Sequence, residues 1–256
     1  MTSGTTHRIP GTLPPQATGL VGRQAEIAQV SVALTESRLV TIVGTGGVGK
    51  TRVAVRVAAQ TTGRYPDGVR LVELSAVRDP LLLASTVAAS LGLSADDTRP
   101  ELGAVLDYLR ERTLLLILDT CEHLIGACAL LAAEVLRGAP AVTLLATSRQ
   151  PLDAQGEHAF PLHPLPVAAD GAAAELFAQR AAAVVPGFTV TPQNQADVAR
   201  LCQRLDGMPL AIELAAVRLR ALPLDLFGQL AQVTKLGAAG RRAQQEHIRV
   251  AAHVFG

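Results

Sequence analysis

The stretch from Thr41 to Thr51, TIVGTGGVGKT, constrains the fold of this chain more than any other. Residues 44–51 fit G-x-x-x-x-G-K-[ST] without a gap. Gly44, Gly46, Gly47 and Gly49 keep the backbone clear of side chains. The amides of this loop, those of Thr45 and Val48 included, can then turn inward around an anion. Lys50 supplies a compact positive charge for β- and γ-phosphates, and Thr51 offers a hydroxyl to Mg²⁺. Arg52, next in the chain, belongs with these binding residues. A helix beginning here points its unpaired N–H groups and partial positive charge at the same place.

The flanks suit that reading. Residues 38–43, RLVTIV, form an apolar run of strand length before the loop. Residues 52–60 contain no Gly or Pro. Val53, Val55 and Val57 alternate with a period of two, which suggests a strand. The run continues into Ala58 and Ala59, and a phosphate loop needs a helix behind it, so a helix is expected. The competing reading is a plain glycine turn. Lysine usage weighs against it: Lys50 and Lys235 are the only two lysines in the chain.

The rest of the chain sets outer limits. Its 256 residues permit one or two domains, and 49% hydrophobic residues can bury a sizeable core. A net charge of +1 gives no general pull toward nucleic acid or an anionic membrane. The polar, proline-rich start reads as a flexible lead over residues 1–17. It lacks the apolar core of a signal peptide, and no later run is long enough to span a membrane. Cys121, Cys128 and Cys202 fit no metal spacing and are odd in number, as suits reduced thiols in a cytoplasm.

Hydrophobic periodicity then yields alternating elements. Helices are expected over 24–36, 52–60, 80–91, 102–112 and 123–137. Strands are expected over 38–43, 68–75, 113–119 and 141–147, with a last one over 160–165 interrupted by prolines. TLLLILD, 113–119, is a continuous apolar run of the kind buried on both faces of a parallel sheet. After residue 170 the pattern turns helical: 172–185, 195–205, 210–222 and 224–233. The expected organisation is an α/β domain over 18–168, a helical domain over 169–235 and an unassigned tail over 236–256.

Three further stretches carry candidate site residues. Asp119 ends an apolar strand, where open α/β sheets place ligands, and its carboxylate can hold Mg²⁺ opposite Thr51. A helix cap is the alternative. Thr120 stands where many ATPases carry a glutamate that activates water. Glu122 is the nearest carboxylate, and it reads either as a base or as a charge at a helix start. Arg149 leaves the end of the next strand and reads either as a contact to a γ-phosphate or as a solvated surface arginine. Val21, Gly22 and Arg23 precede a helix, and Pro209 begins one. By sequence mechanics alone both are helix starts.

Taken together, VGR, GTGGVGKT, LLLILD, TSR and GMPLA, in that order, resemble the NB-ARC class of STAND NTPases. The surrounding phrases, such as YPDGVRLVELSAVRDP and RLDGMPLAIELAAVRLRAL, look like the ATPase module of LuxR-type and SARP-type transcriptional regulators of actinobacteria. The resemblance covers residues 18–230. It implies a P-loop NTPase fold, an α/β parallel sheet flanked by helices, followed by a small all-helical ARC-like lid. It makes 44–51 the Walker A loop, Asp119 the Walker B residue and Arg149 the sensor arginine. Val21, Gly22 and Arg23 would border the adenosine of ATP or ADP, and Pro209 would pack on the adenine, with nucleotide between the two domains.

The chain also departs from that pattern. The relatives usually read Asp-Asn-Cys-Glu-His, and Thr120 takes the place of the Asn, removing an amide near the metal. Gln24 stands where Glu is frequent. The relatives continue into a winged-helix domain, and the text after about Val233 does not follow theirs well. On this reading the chain is a fragment or a naturally short relative.

The function this implies is an ATP/ADP switch with slow Mg²⁺-dependent hydrolysis. Its partners would be regulatory protein domains, or further copies of itself in the ATP state. The alternatives are a stand-alone ATPase with rapid turnover, which needs an acceptor site or a strong base, and a protein-interaction module with a dead nucleotide site. Direct DNA binding ranks last, with a neutral charge and no recognition helix.

Overall fold

A computed structural model describes Leu13, residues 19–93 and residues 101–220. The chain divides into two compact units. The described part of the first comprises Leu13, Gly19, Gln24–Gly44 and Lys50–Leu162. That of the second comprises Leu20–Arg23, Thr45–Gly49 and residues 163–220.

The first unit is built on five parallel strands: β1 (Leu39–Val43), β2 (Val69–Glu73), β3 (Leu115–Asp119), β4 (Thr143–Ser148) and β5 (Glu157–Pro161). They lie in the order β2-β3-β4-β1-β5. The register sets Val43 beside Ser148 and Leu118 beside Ala146. Every residue of β3 and β4 is buried. A strand covered on both faces has no solvent side to mark with polar residues, which is why these segments read as continuous apolar runs.

Helices supply the two covers. On one face Leu116 and Leu118 of β3 share a core cluster with Val87 of α3 (Leu83–Ser90), Val105 and Leu109 of α4 (Glu101–Leu109) and Val135 of α5 (Ile125–Gly138). On the other, α2 (Lys50–Thr61) packs against β1, β3 and β4, and α1 (Gln24–Glu36) packs against α2 and β1. Val53 and Val57, four apart on one face of α2, are fully buried. The helical reading of residues 52–60 therefore holds against their period-two alternation.

Two expected helices open more tightly than a uniform pattern suggests. Pro80–Leu82 is a 3-10 turn whose Asp79 side chain accepts from Leu81 N. Cys121–His123 is another, ahead of α5. The strand expected over 160–165 lies earlier, at Glu157–Pro161. Its alternation is hidden because β5 is an edge strand with mostly exposed side chains. Leu162 N still donates to Val43 O at 2.7 Å, just past the strand end.

The second unit contains α6 (Ala172–Val184), α7 (Gln195–Arg204) and α8 (Pro209–Arg218). Its core joins Val21 and Leu165 to Phe177, Val198 and Ile212. Phe177 and Phe188 meet edge to face at 5.9 Å, and Arg180 pairs with Glu213 at 3.0 Å, linking α6 to α8. The helix expected over 224–233 and the tail over 236–256 lie outside the described residues, as does most of the lead over 1–17. Among the described residues, no helix is long and apolar enough to cross a membrane. All three cysteines are free and buried.

Candidate functional site

Residues 44–51 link the end of β1 to the start of α2. Gly44 N donates to Ser148 O on the neighbouring strand at 3.2 Å, and Lys50 opens the helix. Gly47 (φ +79°) and Gly49 (φ +102°) lie in the left-handed region, which glycine alone enters freely. Lys50 is only 9% exposed, and its Nζ donates to Gly44 O at 2.9 Å. Burial lowers its pKa from the ordinary lysine value. Glu122 opposes that shift, Arg149 adds to it and Asp119 opposes it. Burial is the largest cause of that shift, and a phosphate anion beside the ammonium would offset it.

Asp119, 8% exposed at the end of β3, is the centre of a hydroxyl cluster. Thr51 Oγ1 donates to its Oδ1 at 2.6 Å and Thr147 Oγ1 to the same oxygen at 2.7 Å. Thr120 Oγ1 donates to Oδ2 at 3.2 Å. Three elements converge here: the first turn of α2, the end of β3 and the end of β4. The donors fit Mg²⁺. One carboxylate and one hydroxyl are the hard-oxygen set that this ion takes from a protein when phosphates and water fill the remaining positions. Among the described residues, no group of three or more His, Cys, Asp or Glu side chains is placed to hold a metal.

Thr120 adopts φ +69°, ψ +55°, a left-handed conformation that is a genuine outlier for a β-branched residue. Its N–H donates to Thr147 Oγ1 at 2.9 Å, which helps hold the turn. Strain of this kind costs about 1–3 kcal/mol. Thr120→Asn, which replaces it with a residue that tolerates the conformation, should raise stability by about 1 kcal/mol and the melting temperature by about 2–4 °C. A thermal melt that falls instead would show the Thr120 hydroxyl to be worth more than the strain.

Beyond this turn, Arg149 Nε donates to Glu122 Oε1 at 3.0 Å. The pair lines a cleft of about 400 Å³ at the C-terminal strand ends, together with Arg78 and Thr120. His123 is exposed, and its Nε2 donates to Val77 O at 2.7 Å, tying the loop after β2 to the turn after β3. Cys121 is buried, its thiol 3.3 Å from Leu118 O. Arg52 Nη2 donates to Gly19 O at 3.0 Å.

Within the second unit, the side chain of Arg23 is almost wholly buried and donates to Val48 O at 3.1 Å and His163 O at 2.8 Å. Val21 lies in that unit's core, and Gly22 has φ +66°. Pro209 is the first residue of α8. Leu210 N donates to Gly47 O at 3.2 Å, and Thr45 Oγ1 sits 3.9 Å from Met208 Sδ.

A strand, a G-x-x-x-x-G-K-T loop, a helix and a carboxylate at the end of β3 now stand on one parallel sheet. The chain has a P-loop NTPase fold. Residues 34–150 match the family described as an AAA domain. A Mycobacterium tuberculosis protein named as an HTH-type transcriptional regulator is 41% identical over 210 residues, covering 82% of this chain and 23% of its own length. The regulatory protein AfsR of Streptomyces griseus is 30% identical over 231 residues, covering 83% of this chain and 22% of its own. The chain thus spans under a quarter of the length of these two relatives. In structure it is similar to a Signal Transduction ATPase with Numerous Domains (STAND) protein from Pyrococcus horikoshii. The TM-score is 0.57 at 16% identity, over 88% of this chain and 34% of that one, a likeness of fold.

Of the residues expected in the P-loop site, the first unit brings together Gly44, Lys50, Thr51, Asp119, Glu122 and Arg149. Thr147 was missed as a participant. Its place one residue before Ser148, at the end of an apolar strand next to β3, was the signal available. Arg78 in the cleft was missed too, for nothing local distinguishes it from a surface arginine.

Proposed function

We propose that this chain is an ATP- and ADP-binding switch module of a signalling or transcriptional regulator, of the NB-ARC type found in LuxR-type and SARP-type proteins. The observation that carries the reading is the Thr51–Asp119–Thr147 cluster beside a desolvated Lys50. It is a ready seat for Mg²⁺ and phosphate rather than a surface ion pair. Lys50 would bind the β- and γ-phosphates. Thr51 and Asp119 would hold Mg²⁺ directly or through water, and the ion would neutralise charge on the phosphates. The backbone of 44–49 would cradle the anion. Arg149 would read the γ-phosphate, while Val21, Gly22, Arg23 and Pro209 would border the adenosine.

Hydrolysis would be slow, since Thr120 follows Asp119 where a water-activating glutamate is frequent. Slow turnover suits a switch whose nucleotide state biases two conformations. The AAA match and the regulator names of the relatives support this reading. Partners would be other domains of the regulator or further copies in the ATP state. DNA and membrane are not expected ligands of this segment at a net charge of +1, and a cytoplasmic location is part of the proposal.

The test is to purify the protein, denature it and identify the released nucleotide by chromatography. ADP in near-stoichiometric amount is the expected result. A protein that releases no nucleotide and binds neither ATP nor ADP with Mg²⁺ would overturn the reading in favour of a dead site.

A further inference from the structure

Two successive carbonyls of the phosphate loop are taken by donors from outside it. Leu210 N, in the first turn of α8, donates to Gly47 O at 3.2 Å, and Arg23 Nη2 donates to Val48 O at 3.1 Å. A trans peptide points its N–H away from its C=O. Fixing these two oxygens therefore fixes the N–H groups of Val48 and Gly49 in the opposite sense. Val48 N reaches only to Thr45 O within the loop, at a long 3.4 Å. The Leu210 side chain closes on the same spot. A Cβ on Gly47 would stand 2.9 Å from Leu210 Cβ and 3.2 Å from its Cδ2, so the leucine lies directly against the bare face of Gly47. Glycine is needed there for space as well as for its φ of +79°.

The first turn of α8 is a firm support. Ile212, Ala215 and Ala216 are buried in the core of the helical unit. Gly207, just ahead of the helix, is pressed against the backbone of Leu165, whose N–H donates to Gly207 O at 2.9 Å. Leu210 itself is 40% exposed, and Leu214, one turn further along the same helix face, matches it at 44%.

We propose that Leu210 is a positioning residue for phosphate binding: with Arg23 it holds Thr45–Gly49 in the shape that turns their amides toward an anion. This rests on the nucleotide reading above and adds what sets the affinity of the loop from within the helical unit. A cradle of N–H groups binds an anion only while its peptides keep one orientation. A flipped peptide presents a carbonyl oxygen instead, which repels phosphate. At Gly47 and Val48 such a flip breaks the bond to Leu210 or to Arg23. With the Leu210 side chain gone, the glycine gains room to move, the free loop samples other shapes, and binding must order it again. The loss falls on the phosphates and not on the base.

The experiment titrates the full chain, with Mg²⁺, against ATP and against inorganic tripolyphosphate, which carries the phosphates without adenosine. Calorimetry and thermal melts compare the wild type with Leu210→Ala, Leu210→Met and Leu214→Ala. Leu210→Ala should weaken both ligands by the same factor, about 5–30-fold, as expected for ordering one residue of backbone on binding. It should melt within about 2–4 °C of the wild type, because the side chain removed is 40% exposed. Leu210→Met, of similar volume, should recover both affinities to within about twofold, and Leu214→Ala should keep them.

Unchanged affinities in Leu210→Ala would overturn the proposal and leave the nucleotide reading intact. Weaker ATP with unchanged tripolyphosphate would overturn it too, placing Leu210 at the adenosine. So would Leu214→Ala weakening both ligands as much as Leu210→Ala, the mark of a merely structural helix face. A wild type that binds ATP but not tripolyphosphate would put the affinity in the adenosine and overturn the proposal alone. A wild type that binds neither would overturn the nucleotide reading with it.

Discussion

Lys50→Ala should abolish nucleotide binding while leaving the chain folded. Lys50 Nζ is buried against Gly44 O, and the same burial lowers its pKa. Burial takes water from the ammonium, and that cost falls on its charged form. A triphosphate would offset that cost. Removing the charge should therefore weaken ATP and ADP by at least about 100-fold, or about 2.8 kcal/mol. The ligand-free variant should melt no lower than the wild type by more than about 2–4 °C, because the group removed is a desolvated cation and not a core filler. Calorimetric titration with both nucleotides and a melt without them make the check. Tight ATP binding retained by Lys50→Ala would remove the loop from the binding site.

Asp119→Ala should act on both stability and metal dependence. The carboxylate accepts from Thr51, Thr147 and Thr120 in a setting that is 8% exposed. Truncation strands the buried Thr147 hydroxyl, which costs about 1–3 kcal/mol, and takes an acceptor from Thr120, which is half-buried, and from Thr51, which is exposed. Thr51 lies at the helix start and can turn toward other acceptors, so the net loss should be about 2–4 kcal/mol. A Mg²⁺ titration of ATP affinity should flatten in the variant, since Thr51 alone is a weak ligand for a hard cation. A variant with wild-type Mg²⁺ dependence would mean that the ion, if bound, is held elsewhere, and that Asp119 serves the fold alone.

Much of the sheet could be read along the chain because burial on two faces writes itself into sequence. TLLLILD and AVTLLAT have no polar alternation to confuse; β3 falls within the first, and β4 runs one residue past the second, to Ser148. The helix Gln24–Glu36 was expected over those same residues, and α6 to within one residue. β5 was harder. An exposed edge strand needs few apolar residues, so EHAFP carries little of the strand signal, and the prolines behind it drew the expected strand too far along.

The site divides in the same way. G-T-G-G-V-G-K-T determines its own chemistry, for its glycines, lysine and threonine act through the backbone that joins them. The strand ending in Asp119 likewise announces where a ligand would meet the sheet. The partners of those residues were not legible. Thr51 finds Asp119 across 68 positions, Asp119 finds Thr147 across 28, and Glu122 finds Arg149 across 27. Each contact exists because β3 lies beside β4 and β1 is inserted between β4 and β5, an order that no local pattern encodes. Sequence alone thus determined the phosphate loop and the strands around it, whose residues interact with near neighbours or with the core at large. Which hydroxyls surround Asp119, and which arginine holds Glu122, only the tertiary structure decided, because side chains distant in the chain meet only where the sheet order brings their strand ends together.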